Sequence, residues 1–177
     1  VEKEKARPGD EVLRVRDLAF VNEWGTKRLD KVSLSVRKGE ILGIAGVEGN
    51  GQKELVDMLF HLNTPNAGTV EVNGESILGL SQRKIREKGV SLVPEDRMLY
   101  GIAGAASIEE NLISDRCGAK RLHKGPLFDV KALHAEADQL LEDYTVLCKS
   151  GAQKVENLSG GNIQKVVVAR EFSNSPC

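Results

Sequence analysis

Leu158-Ser159-Gly160-Gly161-Asn162-Ile163-Gln164-Lys165 is the stretch on which the reading of this chain turns. Two consecutive glycines behind a serine open an apolar helical pattern that runs from Asn162 to Phe172. A helix begun this way presents backbone N–H groups that no side chain covers, and such an end attracts anions. Taken alone, the octet is equally an ordinary N-capped helix. Its weight comes from a second glycine motif upstream, on a different element.

That motif is Gly46-Val47-Glu48-Gly49-Asn50-Gly51-Gln52-Lys53, set between the apolar run Ile41–Ala45 and a helical pattern over Gln52–Leu62. Glycines let the backbone curl so that successive N–H groups point inward, and the following helix adds its positive end. A standard phosphate loop has Lys and then Ser or Thr where this chain has Gln52 and Lys53. Gln52 can donate hydrogen bonds but brings no charge to the phosphates, and Lys53 offers no hydroxyl oxygen to Mg²⁺. Lys53 also lies about 100° further round the helix, so it need not replace the missing lysine. Glu48 adds a negative charge nearby. The plain alternative is a glycine-rich strand-to-helix turn that binds nothing. A dinucleotide fingerprint fits less well, because Glu54 stands where its third glycine belongs.

Around these motifs the pattern is mixed. Glu11–Phe20 alternates as a strand, and Lys31–Arg37 places Val32, Leu34 and Val36 on one face with Ser33 and Ser35 on the other. Ile41–Ala45 and Val90–Val93 are continuously apolar, the pattern of strands buried on both faces of a parallel sheet. Thr69–Gly74 is a strand closed by Asn73-Gly74, a hairpin signal. A short helix closes over Ile85–Lys88 with Gly89 as its cap. From Ser107 the chain turns helical, beginning with a capping-box pattern (Ser107 and Glu110) and continuing in an amphipathic helix over Phe128–Tyr144. Strands followed by a block of helices indicate an α/β core with an inserted helical subdomain.

The bulk properties narrow the function. At 177 residues the chain fits one domain, and its net charge of −1 argues against a nucleic-acid binder. No apolar run approaches the ~20 residues of a membrane span. Cys117, Cys148 and Cys177 match neither a zinc spacing nor a disulfide framework, which suits a reduced, cytosolic protein. The charged opening VEKEKARPGD lacks apolar periodicity and reads as a linker or tail.

The octet at Leu158–Lys165 resembles the signature motif of ATP-binding cassette (ABC) ATPases, and its distance from the glycine loop is the one that family shows. The resemblance extends from Glu11 onward. It is closest to the second cassette of tandem ATPases in importers of simple sugars or nucleosides, on Gly46–Gln52, on Val93-Pro94-Glu95-Asp96-Arg97 and on Ser159–Asn162 with Gln164-Lys165. In that subgroup the second cassette lacks the loop lysine. The implied fold is an α/β P-loop NTPase core of the ABC cassette type, with an antiparallel β subdomain and an inserted α-helical subdomain, C-terminally truncated. The implied division is 1–10 linker, 11–97 P-loop core and β subdomain, 98–157 helical subdomain, and 158–177 signature motif and helix.

By the same resemblance ATP, with Mg²⁺, is expected at Trp24, Gly46, Gly49, Asn50, Gly51, Gln52, Lys53 and Glu95, and the signature comprises Ser159, Gly160, Gly161 and Asn162. An indole can stack on a purine, so Trp24 belongs to the adenine loop or is a partly buried core or edge aromatic. Glu95 stands where the family has a metal-sensing glutamine, and either reaches metal or pairs with Arg97. The strand ending in Asp-Glu that supplies the general base is expected beyond Phe172, as is the switch histidine; His61, His123 and His134 fit surface or helix-face positions. Without the missing strand, an unpaired edge is expected beside Ile41–Ala45 or Val90–Val93, giving a swapped or edge-paired dimer or a loosened last helix. Partners implied are a second nucleotide-binding domain, on the same polypeptide, and transmembrane permease subunits, placing the protein on the inner face of the cell membrane. The rival functions are a non-transport ABC clamp and a non-hydrolysing docking module.

Overall fold

The computed structural model describes residues 7–174, 176 and 177. They fall into two compact units, one reaching to Val90 and including Cys177, the other Ser91–Pro176. Of the opening linker, 1–6 lie outside the described residues; Gly9 and Asp10 are tied to the sheet by Gly9 N–H donating to Lys38 O and Lys38 N–H donating to Asp10 O.

The first unit contains β1 (Glu11–Val21), β2 (Lys27–Arg37), α1 (Gln52–Leu59), β3 (Ala67–Val72), β4 (Glu75–Ser76) and α2 (Gln82–Glu87). Its sheet runs β2-β1-β3-β4, with every neighbouring pair antiparallel. Alternation dictates the buried face: Val15, Leu18, Leu29, Val70 and Val72 turn inward, joined by Leu55 and Met58 of α1 and Ile85 of α2. The pairing of β1 with β2 shifts register at several points, one of them between Val15 and Leu18, where Asp17 takes a left-handed backbone (φ 46°). Gly68 lies against this bulge, and a Cβ there would stand 2.6 Å from Leu18 Cα, so only glycine fits. Asn73 and Gly74 both have positive φ, 50° and 78°, as the tight hairpin from β3 to β4 requires.

The second unit is helical. A wide π-type turn (Arg97–Gly101) precedes α3 (Ile108–Ile113), and a small hairpin of β5 (His123–Lys124) and β6 (Leu127–Phe128) precedes α4 (Val130–Asp143). The unit closes on α5 (Gly160–Phe172). The capping box at Ser107 forms in full, with Ser107 Oγ accepting from Glu110 N–H and the Glu110 carboxylate accepting from Ser107 N–H. Ile108 and Leu112 of α3, Ala137 and Leu140 of α4, and Ile163, Val166 and Ala169 of α5 build one core. Two buried charges brace the end of α5. Arg116 donates to Arg170 O (2.7 Å) and Ser173 Oγ (2.8 Å), placing a cation at a helix C-terminus. Glu171, fully buried, accepts from Leu92 N–H (3.1 Å) and pairs with Arg170 (3.1 Å).

Three expectations are corrected. Ile41–Ala45 is not a buried strand: it is irregular and exposed, with Ile41 97% accessible. Val90–Val93 is likewise outside any strand, though half-buried in its first three residues. Apolar runs report a capacity for burial on two faces, and among the described residues no strand pairs with either run, so neither a parallel sheet nor the expected strand edge forms. The last helix is regular from Gly160 to Phe172. The amphipathic helix begins at Val130, not Phe128, because Phe128 pairs across the hairpin and stacks on His123 at 4.6 Å.

Candidate functional site

The glycine loop leads into α1, whose first residues carry no side-chain cap, so the leading N–H groups of the helix are open. Gly51 is needed for two reasons: its φ is +95°, and a Cβ would stand 2.5 Å from Arg28 O. Gln52 folds back over the loop, its Nε2 donating to Val47 O at 3.3 Å, and Gly46 leaves the room, since a Cβ there would fall 2.0 Å from that nitrogen. The amide of Gln52 thus lies back against the loop's own backbone. Arg28, unforeseen from sequence, braces the loop from β2: Nη1 donates to Gly49 O at 3.1 Å, and Nε lies 3.4 Å from the Glu54 carboxylate. No local pattern links residues 28 and 49; only the fold does.

Electrostatics along α1 are mixed. Burial raises the Asp57 carboxyl above its ordinary value against the lowering charge of Lys53, with Glu54 adding to the rise. Val47, Glu48, Gly49 and Asn50 are all exposed. Mg²⁺ asks for oxygen ligands in a close set, and position 53 carries an ammonium instead of a hydroxyl. Among the described residues no group of three His, Cys, Asp or Glu side chains gathers to hold a metal. Position 53 itself therefore offers no oxygen ligand to Mg²⁺.

Trp24 sits at the turn between β1 and β2, 80% accessible, with its backbone N–H donating to Asn22 Oδ1 at 3.2 Å. It is neither core nor a packed edge aromatic; its indole face is open.

In the second unit, Ser159 caps α5, its Oγ accepting from Asn162 N–H (3.5 Å) and Asn162 Nδ2 (3.1 Å). Asn162 in turn accepts from Leu147 N–H at 3.0 Å, and Lys165 Nζ donates to Thr145 O at 2.7 Å, so the loop after α4 holds the start of α5. Ser159, Gly160 and Gly161 remain exposed. Glu95 is exposed as well, next to Asp96, whose side chain accepts from Met98 and Leu99 N–H. Arg97 does not pair with Glu95: its Nη1 donates to Gln164 Oε1 at 3.1 Å. Glu95 is therefore left facing solvent.

The family model described as "ABC transporter" matches residues 29–177. A glucose import ATP-binding protein of Haloferax volcanii is 40% identical over 181 residues, covering 99% of this chain and 32% of the relative. A guanosine import ATP-binding protein of Bacillus subtilis is 36% identical, covering 99% of this chain and 34% of the relative. The chain thus spans about a third of the length of these curated relatives. Among solved structures, a dimeric bacterial ABC transporter cassette is similar with a TM-score of 0.73 at 19% identity, over 93% of this chain and 70% of that one. A nucleotide-free ATP-binding cassette matches with a TM-score of 0.70 at 21% identity, over 94% and 66%. These two show the fold. Among the described residues no helix is long and apolar enough to cross a membrane.

Proposed function

The chain belongs to the ABC transporter family of ATP-binding domains, and from that premise we propose that it lends its signature helix to a partner cassette in an importer of a sugar or nucleoside. Two cassettes facing head to tail enclose two ATP molecules, each held between the phosphate loop of one and the signature of the other. Ser159, Gly160 and Gly161 complete the site on the partner. The site on Gly46–Lys53 holds nucleotide weakly and turns it over slowly, because neutralising phosphate charge is the main catalytic contribution in phosphoryl transfer. Closure around ATP then shifts the population of the permease subunits to which the cassettes are attached. The exposed Met98, Leu99 and Tyr100 on the turn after Asp96 offer these subunits an apolar contact.

The observation that carries this reading is the contrast between a capped, braced and open signature turn and a loop whose uncharged Gln52 amide folds back onto Val47 O. The test is ATP turnover of the chain paired with a cassette that has an intact phosphate loop. Ser159→Ala is expected to lower turnover by about 10²-fold, as loss of one transition-state donor does. Gln52→Lys is expected to raise it by less than about twofold, because the working site lies on the partner. Turnover unaltered by both changes refutes this division of labour.

A further inference from the structure

Gly160 and Gly161 stand side by side at the start of α5, and neither has a positive φ, so conformation demands glycine at neither. Space distinguishes them. A Cβ on Gly161 would meet nothing within 4 Å, whereas one on Gly160 would lie 3.1 Å from Nη2 of Arg97. That guanidinium is held through one bond and by packing: Nη1 donates to Gln164, Nε is buried without a hydrogen-bond partner, and Arg97 Cβ stands 3.3 Å from where a Cβ on Gly101 would be. Gly101 is itself packed on α5, 3.2 Å from Val167 by the same measure. The segment that carries Glu95 is thus fastened along α5. Ser91 Oγ donates to Glu171 O (2.8 Å) and Leu92 N–H to the Glu171 carboxylate at one end, and Arg97 reaches Gln164 and Gly160 at the other.

We infer that Arg97 is a positioning residue for the signature turn: its guanidinium, seated in the space that glycine leaves at 160 and bridged to Gln164, sets how Ser159–Gly161 meets the partner's nucleotide. The inference rests on the proposed role of the signature. A planar fork can lie against a helix backbone and reach an amide at once, which an ammonium cannot. A cation beside the positive end of a helix is electrostatically unfavourable, so Arg97 contributes little to stability there. Gly160→Ala makes the guanidinium retreat, loosening the bond to Gln164, while alanine itself suits a helix better than glycine. Activity and stability therefore separate.

The test measures ATP turnover of the chain with an intact-loop partner cassette, alongside melting temperature, for Arg97→Ala, Arg97→Lys, Gly160→Ala, Gly161→Ala, Ser159→Ala and the double change at 97 and 160. Gly160→Ala is expected to lower kcat about tenfold with an unchanged or higher melting temperature, and less than about twofold once Arg97 is alanine. Arg97→Lys should behave like Arg97→Ala, and the effect of Gly161→Ala should be the same in both backgrounds. An equal cost of Gly160→Ala with and without Arg97 overturns the inference, as does parental kcat and KM in Arg97→Ala. Ser159→Ala separates the two failures. If it abolishes turnover while Arg97→Ala is silent, only the role of Arg97 falls; if it is silent too, the reading of the signature falls with it.

Discussion

From Ile41 to Asn50 the backbone leading into the first glycine motif is exposed, and the motif is braced by Arg28 from one strand and by the amide of Gln52. At the second motif the same kind of residues begin a helix that is capped by Ser159, held through Asn162 and Lys165 to the loop after α4, and buried along Ile163, Val166, Val167 and Ala169. Two glycine-rich turns with similar local chemistry thus differ in what stands behind them. A binding end is only as well defined as the element that carries it. In this chain the support lies behind the signature, and the phosphate loop depends on contacts from its own neighbours.

Removing support from each region in turn should have unequal consequences. Leu112 is fully buried in the core under α5, and Leu112→Ala is expected to destabilise the second unit by about 2–5 kcal/mol. Ile41→Ser, at a residue whose side chain meets solvent, is expected to change stability by less than about 0.5 kcal/mol. Thermal unfolding followed by circular dichroism reads both. A large loss on Ile41→Ser would mean that the run Ile41–Ala45 is packed in solution, and the contrast between the regions would collapse.

What was legible in the sequence divides along the same line. The Asn73-Gly74 turn, the capping box at Ser107 and the helix α5 depend on residues near one another in sequence, and each formed where its pattern lay, while β1 found both of its partner strands, β2 and β3. Ile41–Ala45 and Val90–Val93 depended on partner strands, which periodicity cannot supply, and both stayed out of the sheet. The hairpin at His123–Phe128 was hidden because its strands are two residues each, too short to show alternation. At the candidate site the glycine patterns alone singled out both turns. That Gln52 folds onto Val47, that Arg28 holds Gly49, and that Arg97 chooses Gln164 over Glu95 are outcomes of three-dimensional competition that no spacing rule expresses.

Acidification acts on the two units in opposite senses. In the second unit the Glu136 carboxyl is held below its ordinary value, first by the hydrogen bond from Arg121 and then by the charges of Arg121 and Arg116, against the opposing effect of burial. A carboxyl lowered in the folded state contributes stability that is complete above its unfolded value and lost as pH falls through the folded one. In the first unit Asp57 is raised by burial, so its ionisation costs stability and that cost disappears on acidification. Lowering pH from about 6 to about 3 therefore should weaken the amide protection of α4 more than that of α1. Glu136→Gln is expected to cost about 1–2 kcal/mol at neutral pH and to flatten the response of α4. Hydrogen exchange followed by mass spectrometry checks it, and an equal response of the two helices would show that these carboxylates do not set the difference.

The smallest expected effect on stability belongs to Trp24, whose ring is open at the β1–β2 turn. Trp24→Ala should shift unfolding by less than about 0.5 kcal/mol, because little contact is lost. The same openness makes it a reporter, since it is the single tryptophan of the chain. If the indole stacks on adenine, ATP should change its fluorescence saturably, and the change should depend little on Mg²⁺ because position 53 offers no hydroxyl. Titration in the presence and absence of the ion, with calorimetry alongside, decides this. A saturable signal that vanishes without Mg²⁺ would mean that the loop finds a metal ligand other than residue 53. Silence in both measurements would leave the Gly46–Lys53 turn as a scaffold alone, and the whole nucleotide chemistry of this chain would then rest on Ser159, Gly160 and Gly161.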